Sequence, residues 1–211
     1  MTLDAEQLDG GDADAVVVLL HGRGADRSDM RGLARELPRT WTYVLPDAPF
    51  PAAPWGYGPG HAWYRFMGGD RPEEASFSTS LEAVDELIRE LPDRLGVVPR
   101  KVVLGGFSQG GTLSLGYALA RPGRVAGVLN LSGFLPAHPE VPIAETARGL
   151  PVFWGHGTQD PNIPFVLAAE GRDRLRGAGA AVAAFDYAIG HWIDPVELAD
   201  ASAFLEALRE A

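Results

Sequence analysis

Cysteine is absent from this chain of 211 residues. Its absence excludes disulfide bonds, metal sites built on thiolates, and a cysteine nucleophile. Five histidines remain as candidate ligands, but no two of them have the HExxH spacing of a zinc site. We therefore expect neither a metal ion nor another cofactor.

Positive charge is also scarce, with 18 lysine and arginine residues against 28 aspartate and glutamate residues and a formal net charge of -10. No basic cluster stands out, and a protein needs one to bind nucleic acid or an anionic membrane surface. Neither is expected as a partner.

Long apolar runs are missing too, since none approaches the roughly 20 residues that cross a bilayer. Residues 1–14 are acidic and lack the basic and apolar regions of a signal peptide. We therefore expect no integral membrane association and a cytoplasmic location. The apolar fraction of 46% is typical of a globular protein. The length fits a single domain over residues 1–211, and a homodimer stays open.

Short apolar runs do occur, and they alternate with longer segments of helical periodicity. The runs predict buried strands over residues 15–20, 41–45, 101–107, 124–131, 151–155 and 181–187. Strand followed by helix, repeated, predicts parallel strands joined by right-handed crossovers. The predicted fold class is therefore α/β, with three layers and a mostly parallel central sheet flanked by helices.

Helices are predicted between these strands, over residues 31–37, 79–95, 109–120, 164–177 and 195–209. Thr79 and Glu82 match a capping box for the second of them. Asp194 is expected to cap the last helix, with Pro195 at its first position. Residues 46–71 are crowded with proline, glycine and aromatic residues, and an irregular segment of this length is usually functional.

A G-x-S-x-G motif lies between a predicted strand and a predicted helix, at residues 106–110. A serine on such a tight turn projects its hydroxyl above the sheet, and glycines two residues away leave room for the turn. Ser108 is the candidate nucleophile, and the amide of Gln109 would point at a developing oxyanion. The alternative is an ordinary turn with a serine N-cap.

A serine nucleophile needs a base, and the base needs a partner that fixes its tautomer. Asp160 follows the strand predicted over 151–155, and His191 lies between the last predicted strand and the last helix. Ser108, Asp160 and His191 therefore leave three strand ends that share one edge of the sheet. His21 is better explained as shaping its own loop, and His156 as supporting Asp160.

The remaining site residues are predicted from loops at the same edge. The amide of Arg23, in the small-residue loop after the first strong strand, is a candidate second oxyanion donor, although a plain glycine turn is the alternative. Several apolar side chains in these loops are expected to line a substrate pocket, although each of them could instead cover the core. They are Trp63, Phe66, Phe134, Leu135, Ile163 and Trp192. Trp55, Tyr57, Tyr64 and Met67, which lie in the irregular segment 46–71, are further candidates.

The sequences LLHGRGAD, GGFSQGG, SGFLP, GHGTQD and GHW resemble those of the phospholipase/carboxylesterase family, which includes bacterial carboxylesterases and acyl-protein thioesterases. The resemblance runs from about residue 16 to the last helix. It implies an α/β-hydrolase fold without a large cap domain, with Ser108, Asp160 and His191 as triad and Arg23 and Gln109 at the oxyanion positions. It also implies that Trp63 lines the pocket.

The resemblance implies a serine carboxylesterase acting on short- to medium-chain esters, and the loop aromatics add aromatic esters to that range. The expected partner is a small-molecule ester or thioester. Better-known thioesterases of the family carry Leu where this chain has Arg23, which favours the carboxylesterase. The alternatives are an acyl-protein thioesterase or lysophospholipase and, outside enzymes, a ligand-binding module on a hydrolase fold.

Overall fold

The computed structural model describes residues 2–8 and 11–211, and seven of its strands form one sheet in the order β1-β3-β2-β6-β7-β8-β9. β1 runs antiparallel to β3, and all other neighbours in this sheet are parallel. The predicted, mostly parallel sheet is confirmed. Its strands are β1 (Ala5–Leu8), β2 (Asp12–Leu20), β3 (Trp41–Pro46), β6 (Lys101–Phe107), β7 (Gly127–Leu131), β8 (Pro151–Gly157) and β9 (Ala181–Tyr187).

Sequence reasoning missed two features of the strands. β1 has four residues, none of them buried, so it lacks the apolar pattern of the parallel strands. The segment 46–71 contains a small hairpin of β4 (Phe50–Pro51) and β5 (His61–Ala62), flanking a 3₁₀ turn over Ala53–Trp55. A two-residue strand is too short to show periodicity, so neither piece could be predicted from the sequence.

The five predicted helices lie between the strands, with differences at their ends, and a sixth, the four-residue α4, was not predicted. Their bounds are α1 (Arg27–Glu36), α2 (Glu74–Leu95), α3 (Gln109–Ala120), α4 (Ile143–Thr146), α5 (Phe165–Gly177) and α6 (Pro195–Glu210). Asp194 caps α6 as predicted, accepting hydrogen bonds from the amides of Val196 and Glu197. The Asp26 carboxylate accepts from the Ser28 amide, so α1 begins four residues before the prediction.

The predicted capping box at Thr79 is wrong. α2 already begins at Glu74, and the Thr79 hydroxyl donates to the carbonyl of Ala75, one turn back within the helix. The helix extends in this direction because its first turns bury Ser76 and Phe77 on the same face as Ser80 and Leu81. Packing against the sheet therefore decides where this helix begins, and the local capping pattern does not.

The strands of the sheet bury apolar side chains on both faces. In β2, Val16, Val18 and Leu20 pack on one side with residues of α2, α3 and α5. Val17 and Leu19 pack on the other side with residues of α1 and α6. Each fully buried aliphatic side chain of this kind contributes about 1.5–3 kcal/mol. The three predicted layers are present, and no helix of the described residues combines the length and apolar character needed to cross a membrane.

Candidate active site

Ser108 lies on a tight turn between β6 and α3, with φ 56° and ψ −113°. A side chain at either flanking glycine would collide with β2, because a Cβ would lie 2.3 Å from the Leu20 carbonyl oxygen at Gly106 and 2.1 Å from it at Gly110. The Ser108 amide is satisfied by the Leu131 carbonyl at 2.8 Å. The turn is therefore held by its neighbours in a conformation that L-residues rarely adopt.

The side chains of Ser108, His191 and Asp160 meet at the edge formed by the carboxyl ends of β6, β8 and β9. His191 Nε2 lies 2.9 Å from Ser108 Oγ, and His191 Nδ1 lies 2.6 Å from Asp160 Oδ2. A carboxylate can only accept, so Nδ1 carries the proton and Nε2 is free to accept from the serine hydroxyl. This is the arrangement that lets an imidazole take a proton from a serine.

Asp160 is held by the loop that follows it. Its Oδ1 accepts hydrogen bonds from the amides of Asn162 at 2.8 Å and Ile163 at 2.9 Å. His156 Nε2 lies 2.9 Å from the Ile163 carbonyl and 3.6 Å from Asp160 Oδ2. Burial lowers the pKa of His156, although the Ile163 carbonyl and Asp160 act in the opposite direction. A neutral His156 donating to Ile163 therefore braces the loop around Asp160, in line with the prediction for it.

The loop carrying Arg23 passes directly beside Ser108. A Cβ added to Gly22 would lie 3.7 Å from Ser108 Cβ. Among the described residues, no acceptor forms a hydrogen bond with the amide N–H of Arg23 or of Gln109, although both residues line the cavity at Ser108. Two unpartnered N–H groups on this wall could both donate to an oxygen bound there.

His21 fixes this loop from beneath, as predicted. Its Nδ1 lies 2.7 Å from the Gly22 carbonyl, and its Nε2 accepts from the Ala48 amide at 3.0 Å. Burial lowers the pKa of His21, which keeps the ring neutral and its two nitrogens distinct. The Trp63 indole N–H adds a hydrogen bond of 2.9 Å to the His21 carbonyl.

The Gln109 side chain has a role that the sequence did not suggest. Its Oε1 accepts from the Trp63 amide at 3.1 Å, and its Nε2 donates to the Tyr64 carbonyl at 2.8 Å. The residue after the candidate nucleophile therefore holds the irregular segment against α3. No motif marks such a contact, because it joins residues more than 40 positions apart.

A cavity of about 400 Å³ opens at Ser108. Of the predicted pocket residues, Tyr64, Phe66, Phe134 and Ile163 line it, together with Gly22, Arg23, Ala25, Asp29, Met30, Phe107, Ser108, Gln109, Asn162 and His191. The α1 residues Asp29 and Met30 were not predicted, because nothing local shows that this helix faces the edge of the sheet.

Six candidate pocket residues do not line the cavity; they are Trp55, Tyr57, Trp63, Met67, Leu135 and Trp192. Trp63 is fully buried, and its indole N–H donates a hydrogen bond to the His21 carbonyl. Leu135 is buried against Gly171 of α5, where a Cβ would lie 3.0 Å from Leu135 Cβ. Trp192 is 56% exposed and its ring lies over Gly190.

The sequence profile of the phospholipase/carboxylesterase family matches residues 7–209 of this chain. The chain belongs to the phospholipase/carboxylesterase family. A relative in this family, acyl-protein thioesterase 1 of Cryptococcus neoformans var. neoformans serotype D, is 32% identical over 173 residues, which are 76% of this chain and 72% of the relative. Acyl-protein thioesterase 1 of Saccharomyces cerevisiae is 26% identical over 92% of both chains.

Solved structures share the fold of this family member. Esterase PE8 superposes with a TM-score of 0.85 at 29% identity, covering 99% of this chain and 100% of that one. A carboxylesterase from Mesorhizobium loti superposes with a TM-score of 0.84 at 24% identity, covering 97% of this chain and 94% of that one. These neighbours share the α/β-hydrolase fold of this chain. The family and its relatives are named for the hydrolysis of esters and thioesters.

Proposed function

We propose that this protein is a serine hydrolase that cleaves short- to medium-chain or aromatic carboxylic esters, with Ser108 as nucleophile, His191 as base and Asp160 as its partner. The observation that carries the proposal is the unbroken chain of hydrogen bonds from Asp160 through His191 to Ser108, at 2.6 and 2.9 Å. A protein that only binds ligands has no need of a serine held on a strained turn beside an imidazole.

The mechanism follows from the contacts. His191 Nε2 takes the proton of Ser108 as Oγ attacks the carbonyl carbon, and the amides of Arg23 and Gln109 donate to the oxyanion. His191 then gives that proton to the leaving alcohol, and water repeats both steps on the acyl-enzyme. Each oxyanion donor is worth about 3 kcal/mol of transition-state stabilisation.

The cavity supports small substrates. Its volume of about 400 Å³ lies at the lower end of the range for small-molecule sites, and Tyr64, Phe66, Phe134 and Ile163 make much of its wall apolar. We expect turnover of p-nitrophenyl esters to be greatest for short and medium acyl chains and to fall sharply for a C16 chain. A rate that rises steadily to C16 would contradict this substrate range.

A thioesterase is the second candidate, and the relatives named acyl-protein thioesterase 1 favour it. The triad serves oxygen and sulfur leaving groups alike, so the comparison must be measured. Hydrolysis of p-nitrophenyl butyrate and of a butyryl thioester under the same conditions would separate the two: a kcat/KM at least tenfold higher for the thioester would favour the second candidate.

Labelling with a fluorophosphonate probe tests the nucleophile directly. The Ser108 oxygen displaces fluoride and forms a bond to phosphorus, so peptide mass spectrometry should find the added mass on Ser108. Ser108→Ala should prevent labelling and lower kcat by about six orders of magnitude. Ser132 is a matched control, because it also has a positive φ, 55°, and follows the adjacent strand β7. Ser132→Ala should label normally, and an unlabelled Ser108 in the wild type would refute the proposal.

A further inference from the structure

Arg23 is an exposed cation on the wall of the cavity at Ser108. Its guanidinium carbon lies 4.7 Å from the centre of the Tyr57 ring. In residues 2–8 and 11–211, no aspartate or glutamate forms an ion pair with it. The nearby Arg27 differs, since it pairs with Asp4 at 2.7 Å and with Asp47 at 3.4 Å.

Arg23 lies in the loop after β2, and Tyr57 lies in the hairpin of β4 and β5. Backbone hydrogen bonds join this loop to the hairpin. The Gly24 amide donates to the His61 carbonyl at 2.8 Å, and the His61 amide donates to the Ala25 carbonyl at 2.7 Å. A Cβ at Gly24 would lie 2.0 Å from the Tyr57 carbonyl oxygen, so only glycine allows this approach. The Tyr57 hydroxyl in turn accepts from the Phe66 amide at 2.9 Å. The cation is therefore supported at a fixed place on the cavity rim.

The charges on the wall limit where an anion can bind. Outside the triad, the charged residues lining the cavity are Arg23 and Asp29, and Asp29 lies in the first turn of α1. Arg23 would attract an anionic group bound in the cavity, and Asp29 would repel it. A planar guanidinium suits a carboxylate in particular, because it can donate two parallel hydrogen bonds.

We propose that Arg23 is a specificity-determining residue whose guanidinium binds a carboxylate on the substrate, so that preferred substrates are esters carrying a free carboxylate within one arginine side-chain length of the scissile carbonyl. The inference rests on the function proposed above. It assigns to Arg23 two separate tasks: its amide donates to the oxyanion, and its side chain selects the substrate.

Two matched substrate pairs test the inference. In the first, p-nitrophenyl hemiadipate is compared with p-nitrophenyl hexanoate, which places the carboxylate on the acyl side. In the second, 4-acetoxybenzoate is compared with 4-acetoxybenzamide, which places it on the leaving group. The readout is the ratio of kcat/KM for the anionic ester to that for the neutral ester, since this ratio cancels any change in the oxyanion amide.

In at least one pair, Arg23→Met should lower this ratio by about tenfold, mainly through KM, and Arg23→Lys should lower it less. Added salt should lower the ratio in the wild type and not in Arg23→Met. Arg27→Met is the matched control, because it removes the same charge from a residue that does not line the cavity, and its ratio should match the wild type.

A ratio that Arg23→Met leaves unchanged in both pairs overturns the inference, and so does an equal fall in Arg27→Met, which would indicate the general field of the protein. If the wild type hydrolyses the neutral esters through Ser108 and the ratio is unchanged, only this inference fails. If Ser108 is not labelled and neither ester is hydrolysed, the proposed function fails and this inference with it.

Discussion

Two buried carboxyl groups lie near β8, and their surroundings differ in opposite directions. Asp160, 8% exposed, follows the carboxyl end of the strand and accepts hydrogen bonds from two backbone amides and His191. Glu197, 0% exposed, lies on α6 against Gly155 of the same strand. Neither Glu197 oxygen has a hydrogen-bond partner among the described residues.

The difference shows how surroundings decide what a buried carboxyl can do. Burial is the main cause that raises the pKa of Glu197 to about 8; Asp194 and Asp200 contribute in the same direction, and Arg172 opposes them. Glu197 is therefore protonated at neutral pH. A Cβ at position 155 would lie 2.1 Å from Glu197 Oε1, so the glycine makes room for the acid. Asp160, by contrast, is surrounded by donors that suit an acceptor.

Removing the acceptor character of Asp160 should have the largest effect. In Asp160→Asn, the amide oxygen can keep the two backbone contacts, but the NH₂ group then faces His191 Nδ1 and favours the wrong tautomer. We expect kcat for p-nitrophenyl butyrate to fall by about 10⁴-fold. Circular dichroism should match the wild type. A fall of less than tenfold would show that His191 does not depend on this carboxylate.

Glu197→Gln should alter stability in a way that depends on pH. The folded pKa of about 8 lies above the ordinary value of 4.5. The contribution of Glu197 to stability is therefore fully present below pH 4.5 and is lost as pH rises through 8. Relative to the variant, the wild type should lose about 3–5 kcal/mol of unfolding free energy across this range.

Urea unfolding of both proteins at pH 5, 7 and 9 would measure the difference. Activity at pH 7 serves as the control, because Glu197 does not line the cavity and kcat should change little. A constant difference in unfolding free energy at the three pH values would mean that Glu197 is not a buried, protonated acid.

Substitutions of Asp194 should give the smallest change in the free energy of unfolding. They separate the role of Asp194 as the cap of α6 from the effect of its charge on the pKa of Glu197. Asp194→Ala removes the α6 cap and should cost about 1 kcal/mol. Asp194→Asn keeps a capping oxygen but removes the charge that raises the pKa of Glu197. The same urea titrations should then show the stability loss ending at a lower pH in Asp194→Asn. An unchanged pH range would show that the charge of Asp194 does not contribute to the raised pKa of Glu197.

The sequence predicted most of the fold and the meeting of three distant side chains, because strand ends and chain order are local patterns. Ser108, Asp160 and His191 each follow an apolar run, and parallel strands bring such ends to one edge. Their catalytic roles are still predictions. Trp63 and Leu135 were misplaced because an aromatic or leucine in a loop does not reveal which way it faces. Glu197 gave no signal, since a glutamate in the first turn of a helix is ordinarily exposed.

The conformation of Ser108 has a consequence for how this protein changes over time. A φ of 56° suits glycine better than serine, so the backbone at Ser108 is strained and the serine lowers the stability of the fold. Selection for folding alone would favour loss of that serine. On the role proposed for Ser108, its persistence in a lineage would record continued selection for turnover, and its replacement by glycine would be an early mark of a copy that has become inactive.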